Sequence, residues 1–219
     1  MKTTTDSHVT SHTQRVSGVR LLVAALIMGM SSLAQAAPLN LTLSTPDIVS
    51  SFINVDYNAG ANAFTASGFA VQLDDDGIGA PFAIAGGTFD LAASILGDGT
   101  LTGGSLAIGG TVAALGFNSG TLLTGSLTDI GFNNAGGDPL EFLFLVTGGD
   151  AAGLYGSLGG IILTGAGFGG SWATSFSSAP FASVSDVGTV GVVPVPAAIW
   201  LFGTALIGLV GLSKRRKAA

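Results

Sequence analysis

Residues 99–110 have the sequence GTLTGGSLAIGG, and residues 120–132 have the sequence GTLLTGSLTDIGF. In both stretches apolar residues alternate with Thr, Ser or Asp, which places an apolar face and a polar face on an extended chain. The letters GTL and GSL recur 21 residues apart, and GSL occurs again from Gly156 at a different spacing. Two copies are too few for a stacked repeat. We therefore predict two similar β-hairpins rather than a β-solenoid.

The region from Pro38 to Ser185 consists of short apolar segments of strand length separated by Gly-rich turns. No segment in it has a convincing 3.6-residue period, so helices are not expected as main elements. LEFLFLV at 140–146 lacks alternation, which predicts a strand buried on both faces. The expected fold class is all-β, an antiparallel hairpin-rich sandwich or open barrel, with a signal helix before it and a transmembrane helix after it.

Four short motifs predict the turns between these strands. GDG at 97–99 and NSG at 118–120 predict hairpin turns, because Gly, Asn and Asp tolerate positive φ. DDDG at 74–77 and GGDP at 136–139 predict longer turns.

Charged residues are few and unevenly placed. The 219-residue chain has a net charge of −6 and 9% charged residues. All seven Lys and Arg lie near the ends, whereas residues 37–213 contain twelve of the thirteen acids and no Lys, Arg, His, Cys or Met. The central domain, residues 37–188, therefore has a charge of about −12 at neutral pH. This composition argues against nucleic acid as a partner and against catalysis by His, Cys or Lys.

The N-terminus has the pattern of a secretory signal. Arg15 and Arg20 precede the apolar run LLVAALIMGM at 21–30, and Ala34 and Ala36 place small residues where signal peptidase reads the chain. We predict that residues 1–36 are a signal peptide cleaved after Ala36, with an uncleaved anchor as the alternative. Because the chain contains no cysteine, an exported domain must be stabilised by core packing without disulfides.

Residues 189–219 contain an apolar segment that is followed by a basic cluster. Residues 197–212 predict a transmembrane helix of roughly 24 Å, with Trp200 near its outer end, where an amphipathic ring favours the membrane interface. The positive-inside rule places the tail in the cytoplasm. That tail, residues 214–217, consists of Lys214, Arg215, Arg216 and Lys217.

The order of Pro194-Val-Pro196, an Ala pair, Trp200, a Gly-containing helix and a basic cluster resembles the PEP-CTERM sorting signal of Gram-negative bacteria. This C-terminal region is also labelled an ice-binding protein C-terminal domain. Val195 stands where the eponymous family member has Glu, so the chain has the VPxP variant of the signal. The resemblance implies processing by exosortase near the Pro-x-Pro and an origin in bacteria that form biofilms and produce exopolysaccharide. It predicts delivery and assigns no activity.

The clustered acids suggest a cation site. Asp74 and Asp76 belong to a D-x-D-G fragment of the kind found in Ca²⁺ loops, although the downstream Glu of the full motif is missing. The alternative is a solvated acidic turn. Trp172, Tyr57 and Tyr155 offer a sugar-stacking surface, although scattered aromatic residues usually belong to a core.

These observations predict an exported, non-enzymatic surface or extracellular-matrix protein sorted by an exosortase-type system. It would begin as an inner-membrane-anchored precursor and end at the cell surface or in the matrix. The expected partners are signal peptidase, exosortase, the membrane through the C-terminal helix, and exopolysaccharide. One alternative is a carbohydrate-binding or adhesive module stabilised by Ca²⁺, the one cofactor that the sequence suggests. Another is a polysaccharide hydrolase that uses a carboxylate pair.

Overall fold

The structure, a computed structural model, describes residues 38–190. The predicted signal peptide with Ala34 and Ala36 lies outside the described residues, as does the part of the predicted sorting segment beyond residue 190, from Pro194 to Lys217. The strands are β1 Leu43–Asn58, β2 Ala63–Asp74, β3 Phe82–Ala83, β4 Ala85–Ile95, β5 Leu101–Val112, β6 Phe117–Gly131, β7 Leu140–Gly148, β8 Leu158–Thr164, β9 Phe176–Ser177 and β10 Ser183–Val190.

Eight of these strands close into an antiparallel barrel in the order β1-β2-β4-β5-β6-β7-β8-β10, and β10 pairs again with β1. The all-β, hairpin-rich fold predicted from the sequence is confirmed. Of the two predicted architectures the barrel is the one observed, and it is closed rather than open. Because β1 pairs on both sides, closure leaves no long unpaired edge in the barrel. The two-residue strands β3 and β9 extend the pairings of β2 and β1.

The repeated letters GTL and GSL lie on neighbouring strands. The first copy contributes to β5 and the second to β6, with Ser105 opposite Ser126 and Leu106 opposite Gly125. The two copies are thus the arms of one hairpin, and the prediction of two similar hairpins is wrong. The antiparallel pairing also excludes a β-solenoid, in which successive repeats stack side by side.

The predicted turn at 97–99 is confirmed, since the Gly99 N–H donates to the Leu96 carbonyl at 2.8 Å. Residues 75–77, directly after the last residue of β2, and residues 136–139 also lie outside the strands, as predicted. The turn predicted at 118–120 is wrong, because these residues lie within β6. The chain reverses instead through the 3₁₀ turn Ala113–Leu115, followed by Gly116 with φ 77°. The positive φ expected of Gly120 is present, but it serves an irregularity in the β5–β6 ladder.

Large apolar side chains fill the barrel, and glycines make room for them. A Cβ on Gly125 or on Gly159 would overlap the ring of Phe144, and Gly159 is the β8 residue paired with Phe144 on β7. An eight-stranded barrel has an interior just wide enough for side chains. The high glycine content therefore allows aromatic rings to lie across neighbouring strands.

One end of the barrel is filled by an aromatic cluster. Trp172, in the loop between β8 and β9, lies 4.9 Å from the ring centres of both Tyr57 and Phe168. Phe132 and Phe176 lie at 5.5 Å and 5.4 Å from the same indole. The long loop thus covers this end of the barrel with apolar surface.

β7 contains the segment LEFLFLV, which was predicted to be buried on both faces. It is buried on both faces only over its first half. Glu141 on β7 is 4% exposed, because its carboxylate accepts the Asn40 and Leu41 backbone N–H groups at 2.9 and 2.8 Å. The segment before β1 therefore covers the outer face of β7 there. Farther along β7, Leu145 is half exposed.

Helix is limited in this part of the chain to the 3₁₀ turn and to α1, Ala152–Tyr155. Between residues 38 and 190, no helix has the length and apolarity needed to cross a membrane.

Candidate functional site

The barrel wall is irregular at the middle of β1, where this strand pairs with β2 and β10. On the β10 side Ser50 lies opposite Ser185, and the next pair is Ile53 with Ser183. One β1 residue too many is thus inserted, which is a β-bulge. Before the bulge Ile48 and Ser50 are buried, and after it Ile53 is, so the inward-facing positions change from even to odd numbers.

The bulge places Phe52 on the outside of the barrel. Its φ is 55°, in the left-handed region that bulky residues rarely occupy. Phe69 on β2 and Val184 on β10 lie at the same level on the neighbouring strands, and Phe181 precedes β10. The exposed fractions of Phe52, Phe69, Phe181 and Val184 are 59%, 53%, 59% and 46%. We call these four residues the aromatic row.

Asn54 links two parts of the row. The Phe181 N–H donates to Asn54 Oδ1 at 2.9 Å, and Phe181 also has a left-handed φ, 56°. Because Oδ1 is the acceptor in this bond, the bond does not use the two N–H donors of the Asn54 amide. Asn54 is exposed, so this amide group is accessible to solvent.

The same three strands carry an acidic patch, which we define as Asp47, Asp74 and Asp186. Asp47 lies opposite Asp74 in the β1–β2 ladder, and the side chains of Asp47 and Asp186 hydrogen-bond each other. Burial, and then the Asp47 charge, raise the pKa of Asp186 to about 6. Burial, and then Asp74, raise the pKa of Asp47. The patch therefore holds a shared proton under mildly acidic conditions.

The two predicted calcium ligands lie at the edge of this patch. One carboxylate oxygen each from Asp74, Asp75 and Asp76 can lie within 4.8 Å of one another. Asp74 Oδ1 already accepts the Gly77 N–H at 2.8 Å, and Asp76 Oδ1 accepts the Ile78 N–H at 2.8 Å. The turn thus has the geometry of an acidic Asx turn, and the second oxygen of each carboxylate is left for a cation.

Two carboxylate pairs among residues 38–190 are poorly arranged for the chemistry of a glycosidase. The two carboxyl groups of such an enzyme stand on either side of the scissile bond, at least about 5 Å apart. Asp47 and Asp186 touch instead. Asp138 and Glu141 line an open surface pocket of about 420 Å³, but both Glu141 oxygens are held by backbone N–H groups.

The sugar-stacking surface considered for Trp172, Tyr57 and Tyr155 is wrong, because all three are buried. They are 2%, 1% and 4% exposed, and the Tyr57 and Tyr155 hydroxyls donate to the Ile95 and Val187 carbonyls at 2.8 and 2.7 Å. Among residues 38–190, the large aromatic residues that are exposed are Phe52, Phe69 and Phe181, which sequence reasoning missed. The one available signal was SSF at 50–52, where alternation is lost within a strand-like segment.

The site is thus a convex barrel wall with an uncharged aromatic row beside an acidic patch. Comparison of the chain with protein-family models, with curated proteins and with solved structures finds no match.

Proposed function

We propose that this chain is an exported, non-enzymatic protein of the cell surface or extracellular matrix, sorted by an exosortase-type system. The observation that carries the proposal is the distribution of charge. All seven Lys and Arg lie in the terminal segments, each of which contains an apolar run. The charged residues of the barrel between these segments are all acidic. Cations on the cytoplasmic side and an acidic domain on the other follow the positive-inside rule.

The fold is consistent with a binding or structural role outside the cell. The barrel contains no cysteine, and its stability comes from an apolar interior whose side chains, such as Phe142 and Ile161, are fully buried. A barrel filled in this way offers its outer wall to partners, because interior side chains cannot reach them.

The test is the C-terminal mass of the protein recovered from cells with and without exosortase. We expect truncation near Pro194 and Pro196 when the enzyme is present and an intact Ala219 when it is absent. Replacing both prolines with Ala should prevent truncation, whereas Val195→Ala, which keeps both prolines, should not. Identical C-terminal masses in both strains, or a cytosolic protein that retains residues 1–36, would contradict the proposal.

A second candidate function is a carbohydrate-binding or adhesive module. The observation that favours it is the aromatic row, because isolated apolar side chains are common on protein surfaces but contiguous ones often mark an interaction site. Retention on an exopolysaccharide matrix, with no change in the size of the polysaccharide, would separate binding from hydrolysis.

A further inference from the structure

Two phenylalanines in the aromatic row combine a strained backbone with an exposed ring. Phe52 and Phe181 have φ values of 55° and 56°, in a region that a large side chain occupies only at an energetic cost. Each is also 59% exposed, so burial of the ring offsets little of that cost. Strain of this kind persists where surrounding structure enforces it, and it is concentrated at binding sites.

The surrounding structure does enforce it. On the β2 side of the bulge, a Cβ on Gly68 would lie 2.9 Å from both the Ile53 Cα and the Ser51 carbonyl oxygen. Gly68 therefore allows β1 to bulge toward β2. Phe181 is held by its N–H bond to Asn54. The backbone of both residues is thus held in its left-handed conformation by neighbouring groups.

The row lies on the outside of the barrel, which is convex. It crosses β2, β1 and β10, and neighbouring strands lie about 4.8 Å apart, so the row extends across about 10 Å. A convex wall does not enclose a small molecule, whose sites are normally concave. The shape fits a linear polymer lying across the strands.

The charge of the barrel limits the identity of that polymer. Residues 38–190 contain twelve acids and no Lys, Arg or His, and three of the acids form the acidic patch on the same strands. An anionic polymer would be repelled. Membrane-surface binding combines apolar groups with Lys and Arg, which these residues do not contain. A second copy would bring the same negative charge to the contact.

We propose that the aromatic row binds a neutral polysaccharide made of pyranose rings with equatorial hydroxyls. Such rings present C–H groups on both faces, and these pack against aromatic rings. Their hydroxyls lie at the ring edge, where the free amide donors of Asn54 and the partly exposed Ser51 can bind them. This inference rests on the proposed function as a matrix protein and specifies the partner of that protein.

The experiment measures binding of two neutral β-linked glucans, cellohexaose and laminarihexaose, to the full 219-residue chain in lipid nanodiscs, by isothermal titration calorimetry. Empty nanodiscs serve as the blank. The test variant is Phe52→Gly with Phe181→Gly, because Gly adopts positive φ freely and keeps the backbone in place. We expect at least one glucan to bind the wild-type chain, and the variant to bind it roughly tenfold or more weakly.

The matched control is Leu145→Ala, which removes a similarly exposed apolar side chain three strands away from β1 on β7. It should bind as the wild type does. Binding of neither glucan, or equal binding by the double variant, would overturn the inference. If the variant loses self-association in light scattering and no glucan binds, the row belongs to an interface with a second copy. Sorting is measured separately, so normal truncation without glucan binding leaves the proposed function intact.

Discussion

The carboxyl groups of Asp47 on β1 and Asp186 on β10 hydrogen-bond each other across the seam where the barrel closes. A bond between two carboxyl groups needs a proton on one of them. Asp74 lies opposite Asp47 on the other side, and Tyr155 is the remaining titratable group that interacts with the pair. No cation is present in residues 38–190 to balance these acids. The seam between the first and last strands therefore contains a pair of acids that one proton would stabilise.

We expect the stability of the barrel to fall as the pH rises from about 4 to above 6. The pKa of Asp186 is about 6 in the folded state against 3.8 ordinarily, so the folded state binds more protons in this window and the free energy of unfolding decreases with pH. The full difference corresponds to about 3 kcal/mol, and because the Asp186 side chain is only partly buried, solvent screening reduces our expectation to about 1 kcal/mol.

The measurement is urea unfolding at pH 4, 5, 6 and 7 on the wild type and on Asp186→Asn, which cannot ionise. The variant should lose most of this pH dependence and be more stable than the wild type at pH 7. Asp90→Asn, an exposed acid on β4, should leave the slope unchanged. Parallel pH curves for the wild type and Asp186→Asn would show that the seam does not depend on the proton.

The interior glycines give a second prediction. Gly159→Ala would bring a Cβ into the ring of Phe144, and overpacking of a filled core costs about 1–3 kcal/mol. Gly153→Ala is the matched control, since no atom lies within 4 Å of the position and no positive φ is required there. It should be neutral or slightly stabilising. Thermal melting of both variants checks this, and equal melting temperatures would mean that Phe144 moves aside freely.

The hairpin-rich architecture could be predicted because the buried and exposed faces of a strand appear in the sequence as alternating apolar and polar residues. Alternation in 120–132 and the turn at 97–99 depend on neighbouring residues alone. Closure could not be predicted in this way, because it depends on β1 pairing with β10 more than a hundred residues later. The turn at 118–120 was placed wrongly because a positive-φ glycine serves a bulge as well as a turn.

The candidate site was less predictable than the fold. The adjacency of Asp74, Asp75 and Asp76 is visible in the sequence, but their proximity to Asp47 follows from the β1–β2 register. Aromatic residues show the same limit. Trp172 is buried from a loop between β8 and β9, whereas Phe52 is exposed at a bulge in β1, and neither placement follows from neighbouring residues alone.

The strain at Phe52 gives a third prediction, on stability rather than binding. Phe52→Ala and Phe52→Gly remove the same ring, but Ala keeps a Cβ at φ 55°. We expect the Gly variant to be more stable than the Ala variant by about 1 kcal/mol, because the left-handed region is costly for residues with a Cβ. At Phe69, which has no positive φ, the order should be reversed. Chemical unfolding of the four variants measures the stability difference between the Gly and Ala variants at each position. The same order at both positions would mean that the bulge relaxes on mutation.

The acidic turn gives the last prediction, that Ca²⁺ stabilises the barrel weakly. Asp74, Asp75 and Asp76 can bring three oxygens within 4.8 Å, and their mutual repulsion would be relieved by a divalent cation. Since one oxygen each of Asp74 and Asp76 is already used by a backbone N–H, we expect a Kd on the order of 10⁻⁴–10⁻³ M, the range of weak extracellular sites.

Millimolar Ca²⁺ should raise the melting temperature by a few degrees, and a chelator should reverse the change. Asp75→Asn should reduce the shift, whereas Asp90→Asn, on a different strand, should not. NaCl at matched ionic strength separates coordination from screening, because screening acts without regard to the ion. If NaCl and Ca²⁺ give equal shifts, the three acids form a solvated turn that does not coordinate Ca²⁺.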